Sequence, residues 1–166
     1  MIVVGTRAMN AEGLPYLFGS GDERPLQPVN ARQNTPAKAA GMCRILVVED
    51  EDLFRLSVVT ELKARYGADV QWTKYGAAAV AMAKASAGTL DLILLDVALI
   101  GELDGVAVYE AIRAEGIDTP VIFMSAHYNE DTLRKIASTG ATMFRKPRID
   151  YGKIEAMLWK CRGDAS

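Results

Sequence analysis

Leu90-Asp91-Leu92-Ile93-Leu94-Leu95-Asp96 (residues 90–96) is the stretch that decides the fold of this 166-residue chain. Leu90–Leu95 is nearly all aliphatic, and a strand apolar on both faces belongs in the middle of a parallel sheet covered on both sides. The run then stops at a carboxylate, Asp96. Working outward, three more apolar runs stop at polar residues of different chemistry. Ile45–Val48 runs into Glu49-Asp50-Glu51-Asp52, Val121–Met124 into Ser125, and Met143-Phe144 into Lys146-Pro147. If these runs are parallel strands, their carboxyl ends share one edge, where open α/β sheets place their sites. That edge would hold a carboxylate cluster, a further carboxylate, a hydroxyl and an ammonium, a set suited to binding Mg²⁺ and handling a phosphoryl group.

Helical patterns alternate with the runs, as in βαβ units. The first strand, roughly Cys43–Val48, is followed by a helix over Glu51–Tyr66, with Leu53, Leu56, Val59, Leu62 and Ala64 as its apolar stripe. Gly67 ends that helix, as a C-terminal glycine does. Asp69–Thr73 reads as a strand and Tyr75–Lys84 as an Ala-rich helix. A third helix spans Asp104–Glu115, with Val106, Val108, Tyr109 and Ile112 inward. Strand Val121–Met124 begins after Pro120, where a missing N–H is tolerated. A helix from Asn129 or Glu130 ends at Gly140, and a short strand covers Ala141–Arg145. The last helix, from Ile149 or Asp150 to Cys161, turns Ile154, Met157 and Leu158 inward. Five strands and five helices make a three-layer α/β sandwich of the flavodoxin-like kind, with parallel strand order 2-1-3-4-5.

Residues 1–42 differ. They hold four of the six prolines and have almost no bulky aliphatic patterning, so they cannot bury enough surface to offset ordering entropy. They read as a disordered tail, and Met42 offers itself as an alternative start. Residues 43–166 form the folded domain. Half of the chain is hydrophobic and its net charge is −2, with no Lys/Arg-rich run, which argues against nucleic acid. The scattered Lys and Arg read as solvated helix faces. No run approaches the ~20 apolar residues of a membrane span, and the start lacks a secretory pattern. Cys43 and Cys161 share no metal spacing and read as reduced, which places the protein in the cytoplasm.

At the strand ends, like charges brought together call for a divalent cation. Mg²⁺ takes oxygen ligands and keeps several waters. Asp50 and Asp96 are the candidate ligands, with the backbone carbonyl of Ala98 as a third and Glu49 acting through water. The acids Glu51 and Asp52 read instead as a first helical turn favouring the helix dipole. Asp96 is the candidate nucleophile, since an aspartate can attack a phosphoryl group to give an acyl phosphate. Lys146 would neutralise charge on that group and Ser125 would donate a hydrogen bond to it.

With ILVVEDE, DLILLDVAL…LDG, PVIFMSA and KP in order, the chain after the tail resembles the receiver domain of bacterial two-component response regulators. The resemblance implies that Asp96 accepts a phosphoryl group from the phosphohistidine of a sensor histidine kinase, with Mg²⁺ as cofactor. It matches Glu49 and Asp50 to the acidic pair, Ser125 to the hydroxyl and Lys146 to the lysine. It also implies a cis bond before Pro147, and an aromatic switch that works with Ser125. Counting back from Lys146 reaches Met143, whereas Phe144 is the nearest aromatic; Phe144, with a local shift, is the expected switch residue and Met143 the alternative. The loop VALIGELDG after Asp96 is one residue longer than the commonest form, with Ile100 where proline is usual.

His127, near Ser125, reads as a residue tuning attacking water or as an exposed loop residue. Trp72 and Trp159 read as packing residues; Tyr75 and Tyr128 read as loop or partner-surface residues. A haloacid-dehalogenase-type phosphatase needs a second Asp at position 98, which is Ala98. A flavodoxin-like carrier needs a phosphate loop where this chain has EDED, whose charge repels phosphate. The expectation is a single-domain response regulator that catalyses only its own phosphorylation and dephosphorylation. Its partners would be a sensor histidine kinase and a histidine phosphotransfer protein or downstream target. The alternative is a receiver-like docking module that acts without phosphorylation.

Overall fold

A computed structural model of the chain describes residues 8–9, 15–16, 42–126 and 129–163, with side chains through Trp159. The chain divides into two compact units, Met1–Gln33 and Asn34–Ser166. In the first, Ala8–Met9 pairs antiparallel with Pro15–Tyr16. Reading 1–42 as a tail does not include this ladder, and most of that stretch lies outside the described residues.

The second unit alternates strand and helix: β1 (Arg44–Val48), α1 (Asp52–Tyr66), β2 (Asp69–Thr73), α2 (Gly76–Ala85), β3 (Leu92–Asp96), α3 (Gly105–Ala114), β4 (Val121–Ser125), α4 (Glu130–Thr139), β5 (Thr142–Arg145) and α5 (Tyr151–Gly163). The five strands form one parallel sheet in the order β2-β1-β3-β4-β5. This is the flavodoxin-like arrangement that the apolar runs imply. Among the described residues no helix is long and apolar enough to cross a membrane.

Side chains alternate between the two faces of a strand, and the three central strands are buried along their whole length. Ile45, Val47, Leu92, Leu94, Ile122 and Met124 pack with Val58, Val59 and Leu62 of α1 and with Ile154 and Leu158 of α5. Their neighbours Leu46, Val48, Ile93, Leu95, Val121 and Phe123 pack on the other face with Ala79 and Ala83 of α2, Val106, Val108 and Ile112 of α3, and Ile136 of α4. Two cores back to back explain why these runs are continuously aliphatic rather than alternating. Helix ends follow local chemistry: Asp104 and Asn129 accept from Ala107 N and Thr132 N, while Gly67 and Gly140 close α1 and α4 in the left-handed region.

Helix α1 corrects one sequence expectation. Its buried positions are Arg55, Val58, Val59 and Leu62, whereas Leu53, Leu56 and Ala64 face outward. Leu53 is 79% exposed and Leu56 63%. Burial is set by which turn meets Ile45 and Val47, and Arg55 takes an inward place because it finds partners there. The expectation that all Lys and Arg lie on solvated faces fails at this residue. Trp72 and Trp159, read as packing residues, lie at the surface, 49% and 61% exposed, and Trp72 packs against the Arg55 guanidinium.

Where β3 turns toward α3 the backbones nearly touch. A Cβ on Gly105 would lie 2.1 Å from the Asp96 carbonyl oxygen and 2.9 Å from Val97 Cα, and neither backbone atom can yield easily. Gly105 N–H also donates to Val97 O at 2.9 Å. Replacing Gly105 by Ala is expected to cost about 2–3 kcal/mol of overpacking in urea unfolding. Gly152→Ala, where a Cβ meets nothing nearer than Asp150 Oδ1 at 3.4 Å, should change stability by less than about 1 kcal/mol, in the stabilising direction.

Candidate functional site

Parallel strands deliver the polar ends of β1, β3, β4 and β5 to one edge. Glu49 and Asp50 leave β1, Asp96 closes β3, Ser125 closes β4 and Lys146 follows β5. Glu49 is 0% exposed, Asp96 2% and Ser125 0%, so this is an interior cluster of polar groups.

Lys146 joins the ends together. Its Nζ donates to Asp96 Oδ2 at 2.7 Å and to Glu49 Oε1 at 2.8 Å. Glu49 Oε2 lies within ion-pair range of the same Nζ at 2.7 Å but has no hydrogen bond of its own. The lysine's backbone N–H donates to Ser125 O at 2.8 Å, tying the start of its loop to β4. The Lys146–Pro147 peptide is cis. Asp96 Oδ1 accepts from Ala98 N at 3.1 Å, and Asp50 Oδ2 accepts from Ile100 N at 3.0 Å. The longer loop after Asp96 thus reaches back to the acidic pair. Glu49, Asp50 and Asp96 each offer a carboxylate oxygen, and these atoms lie within 4.8 Å of one another.

Three carboxylates therefore face one ammonium. Burial pushes the Glu49 carboxyl up to about 7, with the Asp96 charge adding to the rise and the Lys146 hydrogen bond opposing it. Burial alone would pull Lys146 down, but its hydrogen bonds to Asp96 and Glu49 outweigh that and hold it above the usual lysine range. An all-oxygen donor set of three carboxylates against one ammonium fits a hard cation such as Mg²⁺.

Sequence reasoning missed the layer behind the acids. The Arg55 guanidinium lies 4.2 Å from the Trp72 ring centroid. It donates to Glu49 O at 3.1 Å and to Asp52 Oδ1. Asp52 also pairs with Lys74 at 2.6 Å, and these two cations hold its carboxyl below the usual aspartate range. The available signal was spacing: Arg55 precedes the buried Val58, Val59 and Leu62 by three, four and seven residues.

Met143 and Phe144 divide cleanly by face. Met143 pairs with Phe123 and packs on the α2–α4 side, whereas Phe144 pairs with Met124 and joins the α1–α5 core. The residue turned toward α4 is Met143. Ala98 lies exposed at the rim of the cluster. His127 and Tyr128 lie outside the described residues, and Tyr75 is exposed at the end of β2.

A model of the response regulator receiver domain matches residues 45–158. The rice two-component response regulator ORR41 (Oryza sativa subsp. japonica) is 30% identical over 125 residues, which cover 75% of this chain and 98% of the rice protein. By contrast the chain spans only 25% of the transcriptional regulatory protein ZraR of Escherichia coli K12. Among solved structures, the receiver domain of the hybrid histidine kinase CckA is 33% identical with a TM-score of 0.55, covering 72% of this chain and 98% of that one. The receiver domain of a sensor histidine kinase from Pseudomonas aeruginosa PAO1, solved with a magnesium ion in its active-site cleft, is 26% identical with a TM-score of 0.61, covering 74% of this chain and 98% of that one. The match over most of the folded unit, together with a relative aligned almost end to end, shows that the chain belongs to the response regulator receiver domain family.

Proposed function

We propose that the chain works as a phosphorylation-controlled switch in two-component signalling, with Asp96 taking a phosphoryl group from a phosphohistidine of a sensor kinase. The observation that carries this reading is the position of Lys146 Nζ, 2.7 Å from Asp96 and 2.8 Å from Glu49 in a buried carboxylate cluster. Asp50 and Asp96 would hold Mg²⁺, with the Ala98 carbonyl beside them and Glu49 acting through water. When bound, the ion neutralises charge on the phosphoryl oxygens.

The chain's own groups do the rest. An Asp96 carboxylate oxygen attacks phosphorus, the P–N bond breaks, and its electron pair returns to the imidazole nitrogen. Lys146 balances charge on the transferred group, and the Ser125 hydroxyl donates to one of its oxygens. In the reverse branch water attacks phosphorus, the bond from phosphorus to Asp96 breaks, and phosphate leaves with the carboxylate restored. Retention of both Asp96 and Lys146, already paired, favours this chemistry over a docking role alone. The outlet is a population shift in the α4–β5–α5 surface. It leads to a histidine phosphotransfer protein or to a bound target in the cytoplasm.

Incubation with acetyl phosphate or phosphoramidate and Mg²⁺ should add one phosphoryl mass to the intact protein. Chelation or Asp96→Asn should abolish the gain. An equal gain in Asp96→Asn would overturn the assignment.

The Glu49 shift sets a pH dependence. Its carboxyl ionises at about 7 in the folded protein, against 4.5 for the ordinary group. Between these values the native state holds the proton and the unfolded chain does not, so this group makes stability fall as pH rises from 4.5 to 7. Melting temperature without divalent ions should therefore decline across that window. Millimolar Mg²⁺, which favours the ionised form, should flatten the decline, as should Glu49→Gln.

A further inference from the structure

We infer that Arg55 is a positioning residue for the cation site: its guanidinium locks the Glu49–Asp50 peptide and so sets the direction in which the Asp50 carboxylate leaves the chain. The inference rests on the proposed Mg²⁺ site and concerns how that site is held. Arg55 is 8% exposed although it carries a full charge. A buried guanidinium persists only when its donors are met.

Arg55 meets them in three directions. One nitrogen donates to the Glu49 carbonyl at 3.1 Å, another reaches Asp52 Oδ1, and Cζ lies over the Trp72 ring, 4.2 Å from its centroid. The Glu49 N–H is separately tied to Thr73 O at 3.0 Å. Both peptide groups of Glu49 are thus held, one by strand β2 and the other by Arg55. Asp50 begins immediately beyond the second, and its carboxylate is caught by Ile100 N. The Lys74–Asp52 pair at 2.6 Å braces the outer side of the guanidinium. Neither lysine nor an apolar side chain can reproduce a planar fork that donates to a carbonyl and to a carboxylate at once while its centre sits over an indole.

Charge and position make opposite predictions here. A cation beside a Mg²⁺ site repels the ion, so if Arg55 acted only through its charge, removing it would tighten Mg²⁺ binding. If it orients the acids, removing it weakens binding. The test is a Mg²⁺ titration of the full chain, followed by backbone amide NMR or calorimetry, for wild type, Arg55→Met and Arg55→Lys.

Both variants are expected to bind Mg²⁺ about tenfold more weakly, the low end of what loss of an outer-shell partner does to a metal site. Phosphorylation rates with phosphoramidate should converge on wild type at saturating Mg²⁺ and separate below it, which a loss of stability alone would not produce. Arg55→Lys keeps charge and stem, and carries the test if Arg55→Met melts below the assay temperature. Binding within twofold of wild type in Arg55→Lys, or tighter binding in Arg55→Met, overturns the inference. Absence of Mg²⁺ binding in wild type would instead sink the cation site itself.

Discussion

One ammonium group shared between two buried carboxylates is the constraint on which the rest of the site depends. Lys146 stands 97 residues from Glu49 and 50 from Asp96 in the chain, yet meets both within 2.8 Å. Taking such charges out of water costs several kcal/mol per ion, and only close pairing offsets it. The pairing here is incomplete by design of the donor set. With Asp50 alongside, carboxylates outnumber the ammonium, and one oxygen of Glu49 lacks a hydrogen bond. The surplus of oxygen donors suits the edge to a cation, while burial, with the Asp96 charge adding to it, raises the proton affinity of Glu49.

The scaffold makes this affordable by leaving the polar groups little room to relax. Glu49, Asp96 and Ser125 sit at the ends of strands whose apolar residues are locked between two helical layers, and Lys146 follows the edge strand β5. Gly105 lets α3 approach the Asp96 backbone to within van der Waals limits, and Ser125 O ties the lysine loop to β4. Arg55 and Trp72 extend the same stiffness behind the acids. Under the proposed phosphoryl transfer, preorganised charges of this kind would need no rearrangement, which is how electrostatic stabilisation becomes effective.

Much of this was legible in one dimension because the relevant signals are local. Continuous aliphatic runs declare strands buried on both faces, and the polar residue at the end of each run is a neighbour in sequence. Helix α1 shows where local reading runs out. Leu53 and Leu56 have the right spacing for an inward stripe, but the helix is rotated so that Arg55 takes the inward place instead. An arginine becomes a buried residue only when its partners, here Trp72 on β2 and the Glu49 carbonyl, come from elsewhere. Which of Met143 and Phe144 faces α4 depends on a similarly non-local fact. A strand's facing follows from its register with a neighbour, and a slip of one residue would exchange the two.

Composition and patterning alone therefore determined the layered α/β class and the four polar strand ends, since each depends on runs of adjacent residues, while the strand order followed from the arrangement that such alternation commonly adopts. Only the tertiary structure decided the rotation of α1, the face each β5 side chain takes, and the reach of the loop amide at Ile100 to Asp50. These depend on contacts between segments far apart in the chain, and such contacts exist only once the sheet has set their distances.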